Sequence, residues 1–482
     1  MQSSKLVQVL KTFSARDIRR FCELVNSPYF NKNLNVRRFA AYLKKYHPKY
    51  QHAGLEPQKV FAALFPGRSY NGQRIRDLTS MTLSLAEEYL VMASLEPKEL
   101  FKKNRLLDEL DKRGLHRLYS MRLKEAKRLL EATSFSDNYH YEKFVQDRSE
   151  ISFLTHKYFG DDKQLIRHYR SSDIIRSLTA FYLYEVLAAY ASWENTAQKF
   201  NQRTDFEKAE STLVALKEKL LGPAIPIDLY FLSLKMMMTK GKEYFFRLKT
   251  ILCDKNFSGI APEEQKGFLI VMSNYCSDRI SSGDRSFAAH ALDIYRTLLH
   301  RDIYLQNGVI SHIFFTNVVV HSILCGQTHW IDGFMSRYQV YLQPHLREST
   351  LSYCTAQLCF EQKNYRDALR HLSKSHNGSQ TRELNIKAWT LKVFYETGED
   401  EAIYHLMDAY GRALKNTDTV SAEARRAQKA FLNGVKKLLA IRIRPDVIEL
   451  RKLEESLAPS TAIHKEWLQE KIAELKASAA GS

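Results

Sequence analysis

Turn-forming residues are scarce in this chain. Globular proteins average roughly 7% Gly and 5% Pro, so 482 residues would ordinarily carry about 34 and about 24 of them. The counts are 18 and 11. Strands are short and need a turn at each end, whereas helices run longer between turns. Low Gly and Pro together with many Leu, Ala, Lys, Glu and Arg therefore predict an all-α fold of long helices joined by short connections. The 26 Tyr and 26 Phe supply large apolar side chains for packing those helices, which sets the chain apart from disordered sequences.

Two apolar stretches could be taken for membrane spans, Ser177 to Trp193 and Val309 to Cys325. The first carries Glu185 and the second His312, Asn317 and His321, and neither reaches a clean run of about twenty apolar residues. Both are expected to be buried core helices, with no membrane insertion. Lys5, Lys11, Arg16, Arg19 and Arg20 interrupt the start of the chain, so no secretory leader is expected. Six cysteines without a Cys-x-x-Cys pair suggest reduced thiols in a cytoplasmic protein rather than a disulfide or zinc framework.

The charge of +18 is unevenly spread. Residues 1–80 hold 15 Lys and Arg against 4 Asp and Glu, a net of +11. Within them Ser14 and Asp17 form a Ser-x-x-Asp helix start, followed by Ile18, Phe21, Cys22 and Val25 at helical spacing. A second helix is expected near Asn35 to Tyr46, burying Val36, Phe39, Ala40 and Leu43. A third follows the Pro66-Gly67 and Asn71-Gly72 turns, with Ile75, Leu78, Met81, Leu85, Tyr89 and Met92 as its apolar seam. Arg16, Arg19, Arg20, Arg37, Arg38, Lys44 and Lys45 lie off the apolar stripes. They are candidate contacts for nucleic acid or another anionic partner, with Tyr42, Tyr46 or Tyr50 available for stacking on bases.

The second half carries an internal regularity. Asp205-Phe206-x-x-Ala209 and Asn364-Tyr365-x-x-Ala368 share one form, and Ala291-Leu292-x-x-Tyr295, Ala368-Leu369-x-x-Leu372 and Ala402-Ile403-x-x-Leu406 share its continuation. Ala368 and Ala402 lie 34 residues apart, Gly333 lies 35 before Ala368, and Ala291 lies 42 before Gly333. Small residues at such a period mark helix crossings in stacked helix-turn-helix units. On the string Ala356-x-x-x-Phe360-x-x-x-Asn364-Tyr365-x-x-Ala368-Leu369, with a degenerate copy at Tyr395, Gly398, Ala402 and Leu406, the stretch from about 205 to 410 resembles the tetratricopeptide-repeat family. Its other units lack the family's Trp and Leu-Gly positions. The resemblance implies a TPR-like α-solenoid with a groove for a protein or peptide partner. Ser27-Pro28-Tyr29-Phe30-Asn31-Lys32-Asn33 and Leu64-Phe65-Pro66-Gly67 are similar to strings in a group of uncharacterised bacterial proteins, which implies no activity.

The expected organisation is a basic N-terminal helical domain over 1–98, a helical connecting region over 99–203, TPR-like repeats over 204–440 and capping helices over 441–482. Gly222-Pro223-Ala224-Ile225-Pro226 is the strongest breaker and is expected to separate helix pairs rather than domains, while Pro445 and Pro459 bracket the last helices.

No reaction is legible. Gly67 and Gly72 have the glycine spacing of a P-loop without its Lys-Ser/Thr, and no His-Glu-x-x-His, Gly-x-Ser-x-Gly or Gly-x-Gly-x-x-Gly occurs. His312, His321 and His329 are nine and eight residues apart and do not share a helical face, so no metal or other cofactor is expected. The expected function is a non-catalytic interaction scaffold. The alternative is a nucleic-acid- or ribosome-associated factor docking through the basic N-terminal helices.

Overall fold

The computed structural model describes residues 2–135, 137–168, 170–197, 204–254, 257, 259–306, 308–417, 422–458, 460 and 462–480. Helix makes up 78% of the structure, and among the described residues there are 24 α-helices and no strand. The first nine are α1 (Lys5–Lys11), α2 (Ala15–Asn26), α3 (Leu34–Lys44), α4 (Pro57–Leu64), α5 (Gly72–Leu95), α6 (Glu99–Lys112), α7 (His116–Glu131), α8 (Asp137–Lys157) and α9 (Asp162–His168). Next come α10 (Ser171–Ala197), α11 (Phe206–Leu220), α12 (Ile225–Thr239), α13 (Lys242–Leu252), α14 (Pro262–Ser281), α15 (Phe287–His300), α16 (His312–Leu324) and α17 (Ile331–Tyr338). The last seven are α18 (Pro344–Glu361), α19 (Tyr365–Ser373), α20 (Gln380–Thr397), α21 (Asp400–Lys415), α22 (Ala422–Ile443), α23 (Val447–Leu457) and α24 (Lys465–Ala480). No helix among the described residues is long and apolar enough to cross a membrane.

The chain divides into two compact units, one formed by Met1–Ala132 with Val145–Tyr169 and the other by Thr133–Phe144 with Arg170–Ser482. The boundary expected at 203/204 falls at the edge of 198–203, and Pro459 and Arg203 lie outside the described residues.

In the first unit, local chemistry sets the helix ends. Ser14 accepts from the Asp17 N–H at 3.1 Å while Asp17 accepts from the Ser14 N–H at 2.9 Å, a reciprocal capping box. Asn71 caps α5 by accepting from the Arg74 N–H, and Pro57 opens α4. The core of α1 to α5 gathers around Phe13, Phe21 and Tyr89, whose ring centroids lie 5.1–6.2 Å apart. The buried seam of α5 runs through Ile75, Leu78, Thr82, Ala86 and Tyr89, while Met81 and Met92 are about half exposed. This corrects the expected seam. Thr82 and Ala86 thus belong to the buried face of a helix on which α1, α2, α3 and α4 all pack. A second cluster in this unit stacks Tyr119 of α7 on Phe153 at 3.9 Å.

In the second unit each helix packs chiefly on its neighbours in sequence. α10 packs on α11 and α12, α12 on α13 and α14, α14 on α15, α15 on α16, and α16 on α18. The run continues through α18 with α19, α19 with α20, α20 with α21 and α22, and α22 with α23 and α24. Two core clusters fill it, from Leu183 to Leu358 and from Tyr353 to Ile472.

One turn design recurs. Lys363 after α18 and Gly398 after α20 both take φ near +60 to +75°, and the next N–H reaches back to the helix, Asn364 to the Cys359 carbonyl at 2.8 Å and Glu399 to the Phe394 carbonyl at 3.0 Å. This is the Schellman pattern that terminates a helix and releases the next one. These two turns lie 35 residues apart, from 363 to 398, while Ala368 and Ala402 lie 34 apart. Ala368 is buried at the fourth position of α19, and the fourth position of α21 is Ile403, also buried, while Ala402 is half-buried. Gly333 lies exposed in α17 with nothing within 4 Å of where a Cβ would stand, so it is not a crossing point.

Candidate functional site

Arg16 and Arg19 project from α2, and Arg38, Lys44 and Lys45 from α3, into solvent. Arg16, Arg38, Lys44 and Lys45 make no ion pair among the described residues, and Arg19 bonds only its own helix at the Ala15 carbonyl. Two of the seven candidate cations are occupied. Arg20 pairs with Glu96 at 2.6 Å, and Arg37 donates to the Asn31 carbonyl at 2.8 Å with its Nε buried. The three tyrosines are turned to structural use. Tyr50 is fully buried, the Tyr42 hydroxyl donates to the Gly54 carbonyl at 2.8 Å, and the Tyr46 hydroxyl donates to Tyr42 at 3.1 Å. Burial with the Tyr46 bond holds the Tyr42 phenol up at about 12. Tyr50 cannot reach a base.

A second, unanticipated polar assembly lies on α16, α18 and α20. Arg382, in the first turn of α20, is only 8% exposed, and its guanidinium lies 3.7 Å from the Tyr353 ring centroid of α18. No carboxylate or other acceptor bonds it among the described residues, and Nη1 is closed off from solvent. Burial lowers its pKa, and burial with Arg382 nearby lowers that of His312 on α16. Thr350 and Gln357, on the same face of α18 as Tyr353, each carry a buried side-chain atom without a partner. Buried polar groups are normally satisfied, and with Arg347 Nε, α18 and α20 carry four of the twelve buried side-chain atoms left without a partner among the described residues.

Further along the same stripe of α20, at 382, 385, 389, 392 and 396, sits Lys392. Its ammonium is 3.9 Å from the Trp389 ring centroid, 4.2 Å from Phe360 and 5.7 Å from Trp467. Burial lowers its pKa to about 7 against the opposing pull of Glu361, Glu396 and Glu470. Glu396 itself accepts from the Trp467 indole at 2.6 Å and from Lys471 at 3.1 Å. His464, packed beside Trp389 and Phe431, is held well below its ordinary value by burial.

A third network joins Tyr184 and Tyr230, whose hydroxyls both donate to Glu264. His140 packs on the Tyr184 ring with Nε2 buried and unmet, and burial brings its pKa down to about 4. The six cysteines are free thiols, and burial raises all of them, the reverse of an activated thiolate. Among the described residues no three His, Cys, Asp or Glu side chains group as metal ligands.

Sequence reading passed over Arg382 and Lys392 because they look like ordinary solvated cations. The available signal was their phase, since they share a helical stripe with Trp389 in a stretch otherwise read for small residues. No protein-family model, no curated protein and no solved structure matches the chain.

Proposed function

We propose that this chain is a non-catalytic, cytoplasmic protein-binding scaffold, in which the helix pairs of the second unit stack as a TPR-like solenoid and offer one side to a protein or peptide. The observation that carries this reading is the set of unmet polar groups on α18 and α20. They stand on a run of helices built from one repeated turn, and a scaffold spends such groups on partners. Capture from an extract of the source organism, with and without nuclease, tests the reading when each captured protein is then titrated as a purified component. A partner that survives nuclease and binds directly supports it. Binding that vanishes with nuclease removes it.

The alternative, docking on RNA, DNA or the ribosome, is favoured by Arg16, Arg38, Lys44 and Lys45, which are exposed and unpaired on α2 and α3. Arg37 leaves the set because it holds the Asn31 carbonyl. Replacing those four by Glu should abolish binding to mixed-sequence RNA, and wild-type affinity should fall steeply with salt as counterions are released. Wild-type protein that binds neither RNA nor duplex DNA at low salt removes this alternative.

A further inference from the structure

We infer that Arg382 anchors a binding site for a carboxylate carried by a peptide segment of a partner protein. The inference rests on the scaffold reading above and names the chemistry its groove selects. A guanidinium stacked flat on an aromatic ring keeps its in-plane N–H donors free, and those donors match the two oxygens of a carboxylate. The Arg382 guanidinium carbon lies 3.7 Å from the Tyr353 ring centroid, and no acceptor among the described residues bonds the guanidinium. A buried charge left without a counter-charge is normally selected against. Its retention at 8% exposure is explained when the counter-charge arrives from outside.

The surroundings fit the same ligand. Ser379 starts α20 in an extended conformation and makes no side-chain capping bond, so first-turn N–H groups and the positive end of the helix dipole lie near Arg382. The acid in that turn, Glu383, is engaged with His376 at 2.7 Å. Thr350 and Gln357 add neutral polar atoms on the neighbouring face of α18. One cation among neutral donors matches the single charge of a carboxylate. A nucleic acid presents a phosphate at every nucleotide and calls for a row of cations, and the next positions on this stripe are Asn385 and Trp389.

The test uses the full-length chain and a peptide array synthesised in matched pairs, with Asp and Glu and a free C-terminus in one member, Asn and Gln and an amidated C-terminus in the other. The proteins compared are wild type, Arg382→Gln, Arg382→Lys and, as a control for an exposed cation on α19, Arg366→Gln. Wild type and the control should favour the carboxylate member at least about tenfold, as expected for a charge-assisted paired hydrogen bond. Arg382→Gln should abolish the preference, and Arg382→Lys, which keeps the charge but loses the fork, should reduce it severalfold. Should Arg382→Gln fail to fold by circular dichroism, Arg382→Lys decides alone. An unchanged preference in the folded variants overturns the site and leaves the scaffold reading standing, as does wild-type binding without preference. Wild type that binds no peptide removes the scaffold reading and the site with it. Mixed-sequence RNA bound by wild type and lost in Arg382→Gln overturns the carboxylate assignment in favour of phosphate.

Discussion

The ammonium of Lys392 is enclosed by Trp389, Phe360 and Trp467 and makes no hydrogen bond among the described residues. Its pKa falls from 10.5 to about 7, with burial as the main cause. A base whose folded pKa is depressed binds fewer protons folded than unfolded between those two values. Stability attributable to it therefore rises with pH across roughly 7 to 10.5, by up to about 1.4 kcal/mol per pH unit. Lys392→Met should remove that slope. In urea unfolding at about pH 7, 8 and 9 the variant should be at least as stable as wild type at neutral pH, and its advantage should shrink as pH rises. A difference independent of pH would mean that Lys392 stays charged in its aromatic enclosure, held there by the ring faces. Such residues are hard to read from a sequence. A lysine or arginine in a helix looks the same whether it snorkels into water or sits under two rings, and only tertiary packing tells them apart. By contrast Arg16, Arg38, Lys44 and Lys45 were legible as surface cations, because they lie off the apolar stripes of their helices. Arg20 and Arg37 shared that pattern, but their partners, Glu96 and the Asn31 carbonyl, are set by the fold.

At the scale of the element, helix existence was readable throughout, and capping chemistry gave several ends closely. Ser14 caps where its Ser-x-x-Asp pattern places it, Asn71, read only as part of a turn, caps α5, and Gly222 lies between α11 and α12 with φ +69°. The 34-residue spacing of Ala368 and Ala402 and the 35-residue spacing of the turns at 363 and 398 differ by one residue. Alanine is a weak marker, since it tolerates both a crossing and a surface, and the stronger marker is the left-handed residue that ends the preceding helix. That residue is a lysine in one unit and a glycine in the next, so it has no single letter to search for. Two substitutions discriminate the registers. Ala368→Leu overpacks a fully buried position where α18 meets α19 and should cost about 1–3 kcal/mol. Ala402→Leu, at a half-buried position, should stay within about 0.5 kcal/mol. Equal costs would restore the 34-residue spacing. Gly398→Ala should lower the melting temperature by the equivalent of about 1 kcal/mol, because a Cβ is strained at φ +75°. No loss on that substitution would mean the turn takes a different backbone conformation.

For the whole molecule, the division into units is not a simple cut along the chain. Residues 133–144 belong with 170–482. The Phe135 carbonyl accepts from the Ala261 N–H at 2.7 Å, and His140 covers the Tyr184 ring. A fragment beginning at 170 lacks these contacts, so it should unfold at a lower urea concentration than one beginning at 133. Equal midpoints would mean that residues 133–144 contribute nothing to that unit. This connectivity was not legible in the sequence, because the aromatic residues of 133–144, among them Phe135 and Tyr139, carry no sign of which later helix they meet.

The pairing of Phe135 with Ile260 also has a consequence during synthesis. Ribosomes release the chain from its N-terminus at about 5–20 residues per second. Residues 133–144 therefore emerge many seconds before the helix they are to pack beside. Over that interval Phe135 and Tyr139 are orphaned aromatic groups on a nascent chain. Completion of the second unit therefore waits on one of its earliest-made segments.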